Sequence, residues 1–83
     1  MAKILYGECV SARDKAEVRI CALGDKGCRL EADTAVRVFD TDFSLWIGAV
    51  GPIPAVATRK DAGHVAVRFK EPLDERILEH FNG

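Results

Sequence analysis

The side chains with the most obvious chemistry in this sequence are two histidines, His64 and His80, and three cysteines, Cys9, Cys21 and Cys28. Imidazole and thiolate groups ligate zinc and act in acid–base or nucleophilic catalysis. The cysteines form no C-x-x-C pair and the histidines no H-x-x-x-H pair. These spacings favour small core thiols in a reducing compartment over a disulfide framework. A zinc site that combines the cysteines with His64 or His80 is the alternative.

Neither histidine lies in a recognisable catalytic motif. His64 falls near a predicted hairpin tip on the outward face of a strand. His80 falls in the last turn of a predicted helix, where a cationic side chain stabilises the helix dipole. No serine, cysteine or carboxylate stands beside either histidine in a nucleophile–base arrangement. We therefore expect a non-enzymatic protein without a cofactor, and an enzyme is the competing class.

The charge balance bears on possible partners. Twelve basic and thirteen acidic residues give a net charge of −1, so no overall basic field attracts a phosphate backbone or an anionic membrane. We expect no nucleic-acid polymer and no membrane as partner. A single-strand nucleic-acid binder with Tyr6, Phe43 and Trp46 as stacking platform is a further alternative. The sequence has no signal-peptide pattern or long apolar run, which predicts a cytoplasmic protein.

The elements that must position these residues follow from hydrophobic periodicity. The chain has 83 residues, 48% of them hydrophobic, which predicts one folded domain over residues 1–83. The apolar period is close to two between about residues 3 and 69, which is typical of half-buried strands. Val18, Ile20 and Ala22 are expected on one face of a strand. A charged hairpin tip is predicted at Asp14 and Lys15.

The middle of the chain continues this pattern. "TAVRVF" predicts a strand with Val36 and Val38 on one face. "FSLWI" places Phe43, Leu45 and Ile47 on one face and Trp46 on the other. The glycine and proline cluster that follows predicts a turn or a bulge where the sheet bends, with "VGPIP" as a rigid corner. "HVAVRF" alternates inward and outward side chains after a hairpin tip at residues 61–63.

The period changes in the last dozen residues. Leu73, Ile77, Leu78 and Phe81 fall on one stripe of a helix predicted at about residues 73–81, and Pro72 suits its first position. We expect the helix to dock on the sheet, because its apolar stripe would otherwise remain in water. Several antiparallel strands and one closing helix predict a mainly β fold, a small six-stranded antiparallel β-barrel with one C-terminal helix.

Three segments carry a family resemblance: "ICALGDKGCRL", "SLWIGAVGPIPAVATRK" and "GHVAVRFKEPLDERIL". In this order they resemble a PilZ domain, a bacterial cyclic-di-GMP signalling module, over about residues 18–81. The resemblance implies a six-stranded barrel with a C-terminal helix and a cyclic-di-GMP site on its outer surface. Members of the family that bind use an Arg-x-x-x-Arg motif and an Asp/Asn-x-Ser-x-x-Gly turn after the second strand.

The ligand motifs of the family are degenerate in this chain. The turn motif corresponds to Ala22-x-Gly24-x-x-Gly27, so only Gly27 matches, and no Arg-x-x-x-Arg precedes the turn. Arg13 and Arg19 are six residues apart, too far in extended chain to grip one phosphate unless a turn intervenes. By motif position, the candidate ligand-binding residues are Arg13, Arg19, Ala22, Gly24, Gly27 and Arg29.

The missing contacts decide the predicted function. Two charge-assisted arginine contacts and two neutral ones amount to about 5 to 8 kcal/mol, enough to weaken a micromolar site beyond about 1 mM. We therefore expect a PilZ-type module that acts by protein–protein contact, with cyclic di-GMP as a doubtful ligand. The alternative is a functional cyclic-di-GMP receptor that uses non-consensus basic residues.

Trp46 is the candidate contact for a protein partner. It lies on the strand face opposite Leu45 and Ile47, so in a barrel it either fills the interior or stands on the surface. Tryptophan is over-represented among the anchors of protein interfaces. Both positions for Trp46 remain open from the sequence.

Overall fold

The computed structural model describes residues 5–33 and 37–82, without the side chain of Asn82. The strands in this part of the chain are β1 (Leu5–Val10), β2 (Lys15–Leu23), β3 (Gly27–Glu31), β4 (Phe43–Ile47), β5 (Val50–Asp61) and β6 (His64–Phe69). A short 3-10 helix, Arg37–Asp40, precedes β4, and the helix α1 (Glu75–Asn82) follows β6. The first residues of the predicted strand region, 3 and 4, lie outside the described residues.

The strands close into an antiparallel barrel in the order β1-β2-β3-β6-β5-β4, with β4 paired to β1. The predicted six-stranded β-barrel with one C-terminal helix is therefore confirmed. The period-two pattern gives the strands an apolar face that needs a covered interior, and the closed sheet leaves no unpaired edge.

The core lies inside the barrel and is built from alternate residues of each strand. Phe43, Leu45 and Ile47 are buried as predicted, and so are Val65 and Val67. The complete set of buried hydrophobic side chains among the described residues is Cys9, Val18, Ile20, Leu30, Val38, Phe39, Phe43, Leu45, Ile47, Ile53, Ala55, Val65, Val67 and Phe69.

The alternation predicted for β2 breaks before its end. Val18 and Ile20 are buried, but Ala22 is exposed, so its predicted inward position is wrong. The pairing of β2 with β3 shifts register between Ile20 and Ala22, which places a bulge at Cys21. A bulged residue reverses the faces of the residues that follow it.

In its described part, residues 37–39, the predicted strand between β3 and β4 is a 3-10 helix instead. Val38 and Phe39 are buried within the 3-10 helix, and the other residue of the predicted pair, Val36, lies outside the described residues. The ring of Phe39 contacts Phe43 edge to face, with ring centroids 5.5 Å apart. Asp40 forms an ion pair with Lys60 at 2.7 Å. The segment folds inward because both apolar side chains reach the core at successive positions, which a strand does not permit.

One turn prediction is wrong in position and another is confirmed in part. The first hairpin turn runs from Ser11 to Asp14, where the Ser11 amide donates to the Asp14 carbonyl at 2.8 Å, so Lys15 already belongs to β2. The "VGPIP" segment, residues 50–54, lies within β5 rather than at a corner, but a register shift in its pairing with β4 confirms the predicted bulge. Pro54 tolerates this position because its carbonyl still accepts a hydrogen bond from the Lys70 amide at 2.9 Å.

The C-terminal helix begins later than predicted. Asp74 caps it, accepting a hydrogen bond from the Arg76 amide at 2.8 Å, and Pro72 lies before the helix rather than at its first position. Aspartate is a favoured N-cap because its carboxylate satisfies an amide that has no partner within the helix. Leu73 and Phe81 pack against the core, which confirms that this segment docks on the barrel.

Candidate functional site

The turn between β2 and β3 is tied into the barrel by its own backbone. The Gly24 amide donates to the Gly27 carbonyl at 2.9 Å. The carbonyls of Asp25 and Lys26 accept hydrogen bonds at 2.7 and 2.8 Å from the amides of Leu73 and Phe69. The turn therefore anchors the chain as it leaves β6 and approaches α1.

Gly27, the residue that matches the family motif, has a packing role. A Cβ atom at this position would lie 2.1 Å from the carbonyl oxygen of Val67 on β6, a distance at which the atoms overlap. A Cβ at Gly24 would lie 3.6 Å from its nearest neighbour, which is an ordinary contact. The close approach of β3 to β6 is sufficient to require glycine at position 27.

The other predicted ligand residues do not form one cluster. Arg13 lies in the first hairpin turn, where its amide donates to the Ser11 hydroxyl, at the opposite end of β2 from Gly24. Arg19 points outward from the middle of β2 and forms an ion pair with Glu31 at 3.2 Å. Arg29 is exposed on β3, directly opposite Ala22. The structure brings Ala22 and Arg29 together and leaves Arg13 apart.

A groove on the outer surface of the barrel combines aromatic and acidic side chains. It has a volume of about 590 Å³ and follows β1 between β2 and β4. Tyr6, which is 67% exposed, and the half-buried Trp46 contribute the aromatic surface. Glu8 lies directly opposite both Trp46 on β4 and Glu17 on β2. We call this site the Tyr6–Trp46 groove; its lining is Tyr6, Gly7, Glu8, Glu17, Val18, Trp46 and Gly48.

Trp46 lies outside the barrel core, which resolves the two alternatives left by the sequence. The pairing of β4 with β5 shifts register between Leu45 and Ile47, so Trp46 faces a bulge at Gly51 and Pro52 of β5. Its indole lies against the backbone of Gly51, where a Cβ atom would be 2.7 Å from the ring atoms Cδ2 and Cε3. Gly51 thus leaves room for the ring on the outer surface.

The groove is negatively charged. Among the described residues, no side chain forms an ion pair with Glu8 or Glu17. The groove continues past Tyr6 to Arg19 and Glu31, which neutralise each other. Like charges directly opposite on neighbouring strands are destabilising, so the Glu8–Glu17 pair is unfavourable for folding.

A second cavity, about 300 Å³ in volume, lies on the outer face formed by β3, β6 and β5. Arg29 and Arg59 lie on either side of Ala66 in this sheet. Arg59 forms an ion pair with Asp61 at 3.2 Å, and His64 also lines the cavity. This face carries basic side chains, in contrast to the Tyr6–Trp46 groove.

The cysteines are free thiols at three levels of burial. Burial raises the pKa of both Cys9 and Cys28 to about 12, so these thiols stay protonated at neutral pH. Cys21 is exposed; desolvation, with a hydrogen bond to Glu31, raises the pKa of its thiol. Residues 5–33 and 37–82 contain no group of three or more histidine, cysteine or acidic side chains placed to hold a metal ion.

The histidines lie where the sequence placed them. His64 begins β6 and is exposed, with its Nε2 atom 3.7 Å from Glu31. His80 lies in the last turn of α1, where its ring contacts Phe81 edge to face. The predicted stacking platform of Tyr6, Phe43 and Trp46 is wrong for Phe43, because this side chain is buried in the core.

The sequence contained part of the signal for the groove. The outward positions of two strands and their neighbour are occupied by Tyr6, Glu8, Glu17 and Trp46. From the sequence, Tyr6 is a candidate for stacking, and Trp46 is a candidate for stacking or for contact with a protein partner. Their assembly depends on β1 pairing with β4 across the barrel closure, a contact between residues almost forty positions apart. Local periodicity carries no information about such a pairing.

Within the described part of the chain, no helix is long and apolar enough to cross a membrane. Comparison with protein-family models, with curated proteins and with solved structures gives no match. The functional argument therefore depends on the residues of this chain and on the geometry of its surface.

Proposed function

We propose that this chain is a non-enzymatic signalling module of the PilZ type that acts by contact with a protein partner. The observation that carries the proposal is the Tyr6–Trp46 groove, where two aromatic side chains stand on the outer surface although the interior is already filled. Large aromatic side chains at the surface are typical anchors of protein interfaces. The segment resemblance described above supports the PilZ assignment.

The turn after β2 supports a loss of dinucleotide binding. Ala22 and Gly24 stand where binding members of the family carry an acidic or amide side chain and a serine, and neither offers a polar side-chain atom. Gly27 is accounted for by its close approach to Val67. The turn thus keeps its shape for a structural reason that is independent of a ligand.

The arginines support the same conclusion. Arg13 and Arg19 are separated by the first half of β2, and Arg19 is already paired with Glu31. The Glu31 carboxylate beside that guanidinium repels a phosphate and occupies one of the guanidinium donors. Two adjacent arginines can bind one phosphate through strong bidentate hydrogen bonds. Arg13 and Arg19 do not form such a pair at this turn.

Isothermal titration calorimetry with cyclic di-GMP tests the proposal. We expect no saturable heat at dinucleotide concentrations up to about 1 mM, given the lost contact energy. A double variant, Ala22→Asp with Gly24→Ser, restores the polar side chains of the turn and is the matched comparison. Saturable binding of the unmodified chain at micromolar dinucleotide would contradict the proposal.

The second candidate function is a cyclic-di-GMP receptor built from non-consensus basic residues. The cavity between Arg29 and Arg59 favours it, because two exposed guanidinium groups border one concave surface. If the calorimetric titration saturates, Arg29→Ala should abolish the binding, whereas Arg13→Ala, far along β2, should leave it unchanged. Equal loss in both variants would exclude this site.

A further inference from the structure

We propose that the Tyr6–Trp46 groove binds an extended, arginine- or lysine-bearing segment of the partner protein. The inference rests on the proposed function and adds the chemistry of the partner to it. The chemistry of the groove is that of a cation site: aromatic faces and carboxylates within one surface depression of about 590 Å³.

The aromatic side chains favour a cation over a purely apolar ligand. A guanidinium or ammonium group over the face of a tryptophan or tyrosine is attracted by the ring quadrupole. The indole of Trp46 is half-buried and packs against the backbone of Gly51. Tyr6, at 67% exposure, offers a second ring in the same groove.

The carboxylates determine the sign of the charge in the groove. Glu8 and Glu17 lie directly opposite each other, and Glu8 is also opposite Trp46, so the three side chains form one rung across β2, β1 and β4. A cation bound on this rung lies beside the indole and between two like charges, so it is attracted by both carboxylates. Binding then relieves a repulsion that is present in the free protein.

The neighbouring basic residues do not cancel this charge. Lys15 and Arg19 flank Glu17 along β2, but neither forms an ion pair with it, and Arg19 is paired with Glu31. The same negative charge excludes a phosphate-rich ligand, because a nucleic acid would meet two unneutralised carboxylates.

The spacing along β1 favours an extended ligand. Tyr6 and Glu8 are two residues apart on one face of a strand, which separates them by roughly 7 Å. Alternate side chains of an extended peptide repeat at the same distance. A segment with basic residues at alternate positions can therefore place one cation on the Glu8 rung and the next over Tyr6.

The fluorescence of Trp46, the single tryptophan of the chain, reports directly on the groove. The probe is a capped octapeptide of alternating arginine and alanine, titrated at low ionic strength, with a glutamate–alanine octapeptide as its counterpart. We expect a saturable change with the arginine peptide only. The Glu8→Gln/Glu17→Gln variant should bind it at least tenfold more weakly.

A second double variant makes the same charge change elsewhere. Glu71→Gln/Glu79→Gln removes two exposed carboxylates near and within α1 and should change the affinity less than twofold. Tyr6→Ala should weaken the peptide at least threefold. Circular dichroism of each variant establishes that the barrel is folded.

Three outcomes would overturn the inference: no saturable change, equal weakening in both double variants, or a Trp46 signal that depends on protein concentration without peptide. The last would mean that a second copy of this chain occupies the groove. Micromolar cyclic-di-GMP binding together with groove-dependent peptide binding would overturn the proposed function and leave this inference standing. Failure of the peptide without dinucleotide binding would remove the inference alone.

Discussion

At the scale of single residues, Gly27 is where the family motif and the barrel make different demands. A ligand-binding turn needs glycine for its backbone shape, whereas the barrel needs it because β3 passes against the Val67 carbonyl. Only the second demand predicts a large effect on folding. The two explanations are therefore separable by stability measurements without any ligand.

Gly27→Ala should lower the free energy of unfolding by about 1 to 3 kcal/mol, because the added methyl group forces β3 and β6 apart. Gly24→Ala is the control, with only an ordinary contact at its Cβ and no left-handed backbone, and should change stability by less than about 1 kcal/mol. Urea denaturation measures both. Similar stabilities for the two variants would mean that packing does not explain Gly27.

The ion pair between Asp40 and Lys60 predicts a pH dependence at one residue. The hydrogen bond from Lys60, and then its charge, hold the pKa of Asp40 below the ordinary value of 3.8. Because the folded pKa is the lower one, the pair stabilises the fold above pH 3.8, and its contribution is lost as the pH falls through the folded pKa.

Lys60→Gln should raise the pKa of Asp40 toward 3.8, although Arg37 continues to lower it. An NMR titration of the Asp40 side-chain carboxyl carbon measures the change. Lys26→Gln is the control, because this exposed lysine lies at the far turn and forms none of the described ion pairs. An unchanged Asp40 midpoint in Lys60→Gln would contradict the assignment.

At the scale of elements, the N-cap decides where the last helix begins. Asp74 accepts the Arg76 amide with its side chain, and its carbonyl accepts the Ile77 amide. Asp74→Ala should cost about 1 kcal/mol of stability, whereas Asp74→Asn, which keeps a capping oxygen, should cost only a few tenths. Thermal unfolding measures both, and equal losses would indicate that charge rather than capping matters.

The strands were predictable because their alternation is a local property of the sequence. Leu45 and Ile47 on β4, like Val65 and Val67 on β6, show that a half-buried strand can be recognised without its partners. The bulge at Cys21 was not predictable, because a bulge is defined by the pairing of two strands and no glycine or proline marks this one, unlike the bulge at Gly51 and Pro52. Ala22 was misplaced for this reason.

The 3-10 helix is a case in which the local sequence pattern predicted the wrong element. Val38 and Phe39 are consecutive, so a strand would place one of them outside the barrel. The sequence offered a period-two pattern through Val36 and Val38, and the adjacent aromatic residue was the contrary signal. The segment forms a 3-10 helix because this conformation lets both side chains pack in the barrel interior.

At the scale of the whole molecule, the barrel depends on side chains that fill it from the connection before β4. Phe39→Ala should cost about 3 to 5 kcal/mol, a large part of the stability of a small domain. If this variant does not fold, Phe39→Leu should still unfold at lower urea than the unmodified chain. Tyr6→Ala, at an exposed position, should cost less than about 1 kcal/mol. Equal stability of the Phe39 and Tyr6 variants would contradict the described core.

The candidate site was less predictable than the fold. The sequence offered Trp46 as a contact and the turn from Ala22 to Gly27 as a degenerate motif, and both were local features. The groove joins Tyr6 and Glu8 to β2 on one side and β4 on the other, so it exists only in the closed barrel. Closure is a property of the complete strand order.

The opposite faces of the barrel explain how a net charge of −1 can still direct binding. The Tyr6–Trp46 groove carries carboxylates that form no ion pair with another described side chain, and the cavity between Arg29 and Arg59 carries guanidinium groups. The net charge of the whole chain is a sum over both faces, so it does not show the charge of either one. Under the proposed function, the local field of each face, rather than the net charge, selects the partner.

The most direct test of the central claim is amide chemical-shift mapping of the ¹⁵N-labelled protein, titrated separately with cyclic di-GMP and with the arginine–alanine octapeptide. The account predicts saturating shifts at Tyr6, Glu8 and Trp46 with the peptide, and no saturating shifts from residue 22 to residue 29 with the dinucleotide. Saturating shifts in that turn at micromolar cyclic di-GMP, with an unperturbed groove in the peptide titration, would contradict it.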